Sequence, residues 1–426
     1  MNYDEALEYI HSVSWKGSVP GLDRINALLD LIGHPEKSCR FIHVAGTNGK
    51  GSTCAMLASI LRKAGYRTGL YTSPYLINFN ERIDVDGEMI GNDELCEVTE
   101  FIKPYADSLG DKPTEFELIT AIGFEYFKRK KCDIVVCEVG MGGEFDATNV
   151  IPVPETAVIC NIGLDHTAIL GDTLEKIAAT KAGIIKRGCD AVIYRSTDSV
   201  EAVIEGHCQN VGARLHKADF EAIVPKSSDL FGQTFDFKEY KELKLPLIGE
   251  HQLDNAAVVL TAVDVLRKKG WRITEQNIRD GLSDVVWHGR FEILRRDPLF
   301  IVDGGHNPQC IEALVKSVNK YLSDREITVL TGVLGDKDYH CMYKDAAKFA
   351  KEFITVTPGN PRALSSEKLS EYLKGFNKPV TSCDSIEDGV KTALKNTDKG
   401  GVILCYGSLY MLGEVYAAVD KLMPKK

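Results

Sequence analysis

Short apolar runs alternate along this chain with stretches whose apolar positions recur at helical spacing. The first series predicts strands over residues 41–45, 133–138, 156–162 and 189–194, with a helix over about 52–64 behind the first of them. A continuous apolar run is the signature of a strand buried on both faces. Strands of this kind alternating with helices predict a parallel sheet with helices on both sides. A second series begins near residue 296, with strands over 299–302, 327–333, 353–356 and 402–406 and helices over 310–321 and 409–422. It is the size of one compact domain. The polar, alternating stretch 224–244 predicts a β excursion between the two. A glycine, two arginines and Asp-Pro break the pattern near 290–298, where a hinge is expected. The fold class is therefore α/β. A larger parallel-sheet domain over residues 1–294 precedes a smaller Rossmann-like domain over 295–426, which lacks a Gly-rich dinucleotide fingerprint.

Composition narrows the function. The 426 residues carry 51 Lys plus Arg against 61 Asp plus Glu, a net charge of −10. That balance argues against a general nucleic-acid binder, which needs a basic footprint, but leaves room for an anionic small substrate. The acidic start lacks the order of a signal peptide, and no apolar run reaches bilayer length. The 12 cysteines include no C-x-x-C pair, so they read as buried free thiols in a reducing compartment. A cytoplasmic protein with no membrane partner is expected.

The strongest local signal is Val44-Ala45-Gly46-Thr47-Asn48-Gly49-Lys50-Gly51-Ser52-Thr53. It follows a strand and opens a helix, the setting of a phosphate loop. Glycines let several N–H groups face one anion, the helix adds its positive dipole end, and Lys50 reaches the β- and γ-phosphates. The spacing is not the usual one, since two residues separate Gly46 from Gly49 and Gly51 precedes Ser52.

Two further strand ends carry polar groups. Glu138 closes the run Ile134-Val135-Val136-Cys137 and precedes Gly140-Met141-Gly142-Gly143. A carboxylate there faces the crevice where ligands bind in open α/β sheets, and magnesium favours hard oxygens beside phosphates. His166 follows another strand. Either it or Asp165 is the candidate ligand, the other then being its support. Ser73, before Pro74, offers a third oxygen or simply a turn.

Eight segments stand out in order along the chain. They are Val44 to Thr53; Thr72-Ser73-Pro74-Tyr75-Leu76 with Phe79-Asn80-Glu81-Arg82-Ile83; Glu138-Val139-Gly140-Met141-Gly142-Gly143 with Asp146-Ala147-Thr148-Asn149; and Gly163-Leu164-Asp165-His166 with Leu170-Gly171. Lys181-Ala182-Gly183-Ile184-Ile185-Lys186, His251-Gln252-Leu253-Asp254-Asn255-Ala256-Ala257, Trp287-His288-Gly289-Arg290-Phe291-Glu292 and Asp303-Gly304-Gly305-His306-Asn307-Pro308 complete the set. Taken together they resemble the folylpolyglutamate synthase and dihydrofolate synthase family of the Mur-ligase superfamily. The resemblance implies an ATP-dependent ligase that adds L-glutamate to dihydropteroate, to reduced folates, or to both, through an acyl phosphate. Carboxylate activation of this kind is mainly a matter of positioning and charge neutralisation.

Carried over by resemblance, Gly46, Thr47, Asn48, Gly49, Lys50, Gly51 and Ser52 hold the phosphates. Asn255, Arg290, Asp303 and His306 contact the nucleotide. Ser73 and Glu138 resemble the ligands of one magnesium ion and His166 that of a second. Lys50, His166 and Lys181 are the expected catalytic residues. Lys181 sits where related enzymes carry a carbamylated lysine, although its local pattern alone reads as an exposed helix-end lysine. Phe116 and Thr120 lie where such enzymes meet the pterin, or else on a core helix. Ser408 faces the incoming glutamate or caps a helix. Three residues depart from the family pattern: Glu144 in place of a basic residue, Thr180 in place of an acidic one, and Gly305 in place of alanine. A cell-wall Mur ligase is disfavoured by the short lead before the phosphate loop, and a phosphate-loop kinase or NTPase has no need of the second domain. A monomer is expected, with closure about the hinge assembling the site.

Overall fold

In the computed structural model, which describes residues 1–17 and 19–424, the strands form three sheets among the described residues. The first contains β1 (Arg40–Ala45), β2 (Thr68–Tyr71), β3 (Ile83–Val85), β4 (Glu88–Met89), β5 (Ile134–Glu138), β6 (Thr156–Ile159), β7 (Asp190–Ile193) and β8 (Arg214–Lys217). Their order is β4-β3-β2-β5-β1-β6-β7-β8. From β2 to β8 every pairing is parallel, and β3 and β4 add an antiparallel edge. The chain runs from β1 past β5 to β2 on one side and reaches β6 on the other. This reversal opens a crevice at the carboxyl ends of β5, β1 and β6, which is where such sheets bind ligands.

The helix Lys50–Lys63 is enclosed from Gly51 to Leu61. Small and apolar residues on all its sides make it a core helix rather than an amphipathic one. It packs with β1 and β5, the helix Glu250–Lys268 and a small antiparallel sheet in one hydrophobic cluster. A second cluster, built around Phe41, Tyr71, Ile122 and Phe124, fills the other face. The small sheet comprises β9 (Ile223–Asp229), β10 (Gly232–Phe237) and β11 (Tyr240–Leu245), so the alternation over 224–244 is a real excursion.

The third sheet contains β12 (Glu292–Arg296), β13 (Leu299–Val302), β14 (Ile327–Thr331), β15 (Ala350–Thr355), β16 (Val380–Ser382) and β17 (Val402–Tyr406). Its order is β12-β13-β17-β14-β15-β16, parallel except for β12. Here the expected hinge is displaced. Residues 292–296 form a strand that pairs with β13, and Asp297-Pro298 is the turn between them. The turn residues interrupt the pattern inside the smaller sheet, and the coil between the sheets is 285–291.

Other departures are small. The core helix begins at Lys50 instead of Ser52, β6 stops at Ile159, and residues 409–422 split into a 3-10 turn (Leu409–Met411) and a helix (Leu412–Leu422). The cysteines are free thiols, buried except for Cys39, Cys310 and Cys341. No helix among the described residues is long and apolar enough to cross a membrane.

Candidate active site

The loop after β1 is fastened to the loop after β6. Thr47 and Asn48 donate their backbone N–H groups to the Asn161 carbonyl at 2.7 and 3.4 Å. The Thr47 hydroxyl lies 3.0 Å from both the carbonyl oxygen and the N–H of Gly163. Gly49 then turns the chain at φ +84°, and a Cβ there would sit 2.6 Å from Asn255 Oδ1. The helix starts at the next residue with no side-chain cap. Its first N–H groups have no intrahelical acceptor, so they and the dipole offer an anion site. Asn255 donates to Gln252 at 3.1 Å, and Gln252 donates to the Ser52 hydroxyl at 3.3 Å. Gly51 abuts the Trp287 ring, which a Cβ would approach to 2.6 Å.

This packing predicts that Gly49→Ala weakens nucleotide binding. The left-handed backbone costs an L-residue roughly 1–2 kcal/mol, and the new methyl displaces Asn255. A rise of about tenfold in the ATP dissociation constant is expected by titration calorimetry. An unchanged constant would remove Gly49 and Asn255 from the nucleotide site.

A small set of charges shares the crevice. Lys50 Nζ lies 3.8 Å from Glu138 Oε1. The other Glu138 oxygen accepts the Ser73 N–H at 3.2 Å. Burial pushes the Glu138 carboxyl up, and Lys50 opposes it. Lys181 is only 3% exposed, and its ammonium donates to the Gly46 carbonyl at 2.9 Å. It is therefore no exposed helix-end lysine. Burial first, and then the Lys50 charge, bring it down to about 7. The Thr180 hydroxyl turns back to the Lys176 carbonyl, so it gives Lys181 no support. Glu144 is exposed, and its backbone N–H donates to the Thr180 carbonyl.

His166 stands at the lip of the crevice with its side chain 43% exposed. Partial burial lowers its pKa; Lys337, Lys50 and Lys181 add to this, and Asp165 opposes it. Asp165 itself accepts a 2.6 Å bond from Lys337. Burial alone would raise that carboxyl, but the Lys337 ammonium overrides it and holds the group at about 2.

Lys337 belongs to the loop after β14, so the smaller sheet reaches the same crevice. Asp303 follows β13 directly and accepts the N–H groups of Phe291 and Gly305 at 2.9 and 2.7 Å. The Arg290 guanidinium offsets the upward push that burial gives Asp303. Gly305 has its own close fit there, since a Cβ would lie 2.8 Å from Asp303 Oδ1. His306 Nδ1 lies 2.8 Å from the Gly304 carbonyl, and burial lowers the ring to about 4. Asn307 donates to Asn48 in the phosphate loop at 2.9 Å, and Asn48 donates to Gln309 at 2.9 Å. Asn307, Gln309 and Lys337 were not singled out as site residues. For Lys337 the available signal was its place in the loop after a buried parallel strand, the rule that found Glu138.

The expected substrate residues divide. Phe116 is half-buried against the loop 140–143, where a Cβ on Gly140 would come within 2.5 Å of its ring. Thr120 is corrected to a core position: it is fully buried, and its hydroxyl bonds to the Phe116 carbonyl at 2.7 Å and to the Tyr71 hydroxyl at 3.0 Å. Ser408 is buried too, and its side chain caps the turn Leu409–Met411 by accepting the Tyr410 N–H. Neither presents a surface to a ligand in this structure.

The Mur ligase middle domain family matches residues 44–263, and the Mur ligase glutamate ligase domain family matches residues 289–409. The folylpolyglutamate synthase of Lacticaseibacillus casei is 36% identical over 427 residues, covering 97% of this chain and 98% of its own length. The dihydrofolate synthase/folylpolyglutamate synthase of Bacillus subtilis is 36% identical over 424 residues, with 97% and 98% covered. The solved structure of Mycobacterium tuberculosis folylpolyglutamate synthase complexed with ADP and AMPPCP aligns with a TM-score of 0.89 at 30% identity, covering 100% of both chains. Matched along both lengths and in both domains, the chain belongs to the folylpolyglutamate synthase/dihydrofolate synthase family of Mur ligases.

Proposed function

We propose that this protein is an ATP-dependent ligase joining the amino group of L-glutamate to the free carboxylate of a folate. The carrying observation is the uncapped start of the helix Lys50–Lys63, with Lys50 beside buried Glu138 and the smaller domain's Asn307 bonded to the loop itself. A carboxylate is a poor acyl donor because oxide is a poor leaving group. Its oxygen attacks the γ-phosphorus of ATP, ADP leaves, and an acyl phosphate forms. The neutral glutamate amine then attacks the acyl carbon, phosphate departs, and the amine's spare proton goes to solvent or a base.

Residues 46–52 hold the phosphates, with Lys50 placed to neutralise charge that develops on the transferred group. Asn255, Arg290, Asp303 and His306 are assigned to the nucleotide. Ser73 and Glu138 are assigned to one Mg2+ and His166 to a second; Glu138 carries the fit, as a buried carboxylate 3.8 Å from the Lys50 ammonium, because hard oxygen donors suit that ion. When bound, magnesium supplies charge neutralisation at the phosphates. A lysine near 7 is partly neutral at physiological pH, the form that reacts with CO2, so carbamylation of Lys181 is part of the proposal. Phe116 is assigned to the pterin side, whereas Thr120 and Ser408 support the site from behind. We place the boundary between the domains in the coil 285–291, and propose a cytoplasmic monomer.

The test is ADP release from the purified protein with Mg-ATP and L-glutamate, with dihydropteroate and tetrahydrofolate supplied separately. Turnover with both acceptors is the expected result and defines a bifunctional enzyme. Turnover with one assigns the substrate. Glutamate-independent ADP release, or none, overturns the proposal.

A further inference from the structure

His43 is fully buried in β1, two residues before the end of the strand that leads into the phosphate loop. Its Nε2 lies 2.8 Å from the Thr148 hydroxyl, which lies 2.5 Å from Asp146 Oδ1. Asp146 also accepts the Thr148 N–H at 3.0 Å and, through Oδ2, the Met141 N–H at 2.8 Å. Met141 lies in the loop 140–143, and Gly140 of that loop abuts Phe116. On the other side, Asn149 donates to the carbonyls of Glu144 and Gly183 at 3.0 and 3.1 Å. Lys186 donates to the carbonyls of Asn149 and Ile151, closing the turn Ala147–Val150 from below.

The direction of the chain of hydrogen bonds follows from proton counting. Burial pushes the Asp146 carboxyl up, and the Thr148 hydroxyl and backbone N–H groups oppose it; a hydroxyl has one proton, and an ionised Asp146, already accepting the Met141 and Thr148 N–H groups, takes it. His43 must then donate from Nε2–H. Its Nδ1 is left bare, in keeping with a buried Nδ1 that has no hydrogen-bond partner. The reverse direction would bury an unpaired N–H, which native structures rarely tolerate.

We infer that His43 is a positioning residue for the folate side of the site. As the neutral Nε2–H tautomer it orients Thr148 and Asp146, and through them fixes the Met141 N–H and the loop that backs Phe116. This rests on the folate-ligase reading for its kinetic consequence but not for the tautomer. Its distinctive feature is that one strand sets both sides of the crevice, the phosphate loop at its end and the acceptor loop through the His43 side chain.

The test pairs a spectroscopic readout with a kinetic one. In protein labelled with 15N-histidine, long-range proton–nitrogen correlation at neutral pH is expected to show His43 as Nε2–H with an unprotonated Nδ1. An Nδ1–H tautomer or an imidazolium overturns the inference even if a variant fails to fold. His43→Leu is expected to raise KM for the folate about tenfold or more, with KM for ATP changed less. His43→Gln, whose amide can replace the Nε2–H donor, is expected to recover most of that loss. Unchanged folate KM in a folded His43→Leu protein, or equal rises in both KM values, overturns it. Absence of turnover in the wild type instead sinks the ligase reading and leaves the tautomer result standing.

Discussion

Lys50→Ala is expected to lower kcat/KM for the ligase reaction about 10²–10³-fold, the scale on which one charge-stabilising donor acts in an active site. The geometry makes this a loss of chemistry with little loss of fold. Lys50 begins its helix, where alanine is also acceptable, and its side chain makes a marginal 3.4 Å hydrogen bond to the Thr47 carbonyl. The neighbouring charge matters more. Glu138 is buried, and the Lys50 ammonium is what most opposes the upward push of burial on its carboxyl. Removing Lys50 therefore pushes Glu138 toward its protonated form and weakens it as a cation ligand. On the proposed assignment two effects then act in the same direction: the transferred phosphate loses a cation, and Glu138 becomes a poorer ligand for Mg2+. The measurement is steady-state ADP release with circular dichroism and thermal unfolding beside it. Near-normal turnover from a folded variant would remove Lys50 from the phosphate site.

Much of the architecture was legible because burial on both faces writes itself into short apolar runs. β1, β5, β13 and β17 fall within one residue of where those runs predict them. The phosphate loop was legible because strand, glycines, lysine and helix are contiguous. What could not be read was set by contacts across long sequence separations. Asn48 meets Gln309 and Asn307 only because two domains face each other, and Asp165 meets Lys337 for the same reason. No local pattern encodes those pairs. Asp297-Pro298 marks a hairpin turn as strongly as a linker, and only the pairing of β12 with β13 tells them apart. Thr120 shows the reverse limit: the resemblance offers it to the pterin and helical spacing offers it to the core, and only its packing against Tyr71 shows it enclosed. Lys181 was hidden in the same way. Its helix is covered by the loop after β5, where a Cβ on Gly143 would come within 3.0 Å of the Lys181 Cα.

That burial leads to the second large effect. Lys181→Met is expected to reduce turnover at least about 100-fold while making the protein more stable at neutral pH. The first half follows if Lys181, free or carbamylated, serves the phosphates, since misplacing one group in such a site costs on that order. The second follows from proton linkage. The Lys181 pKa is depressed to about 7 in the folded protein, against about 10.4 for a free lysine. Between those values the unfolded chain binds a proton that the folded one does not. Stability therefore rises with pH through this window, and the full penalty is felt below pH 7. At pH 7, in protein freed of CO2 so that Lys181 is uncarbamylated, the penalty is of the order of 4 kcal/mol by linkage. Methionine fills a similar volume without it, but leaves the Gly46 carbonyl without its 2.9 Å donor, a loss of about 1–3 kcal/mol. A net gain of about 2 kcal/mol is the expected balance. Urea denaturation at pH 7 and at pH 10 checks it, because the gain must shrink as wild-type Lys181 loses its penalty. A gain that is the same at both pH values would show that Lys181 does not titrate in this window. A loss of stability at pH 7 with activity retained would make Lys181 a structural residue and remove it, and its carbamylation, from the reaction.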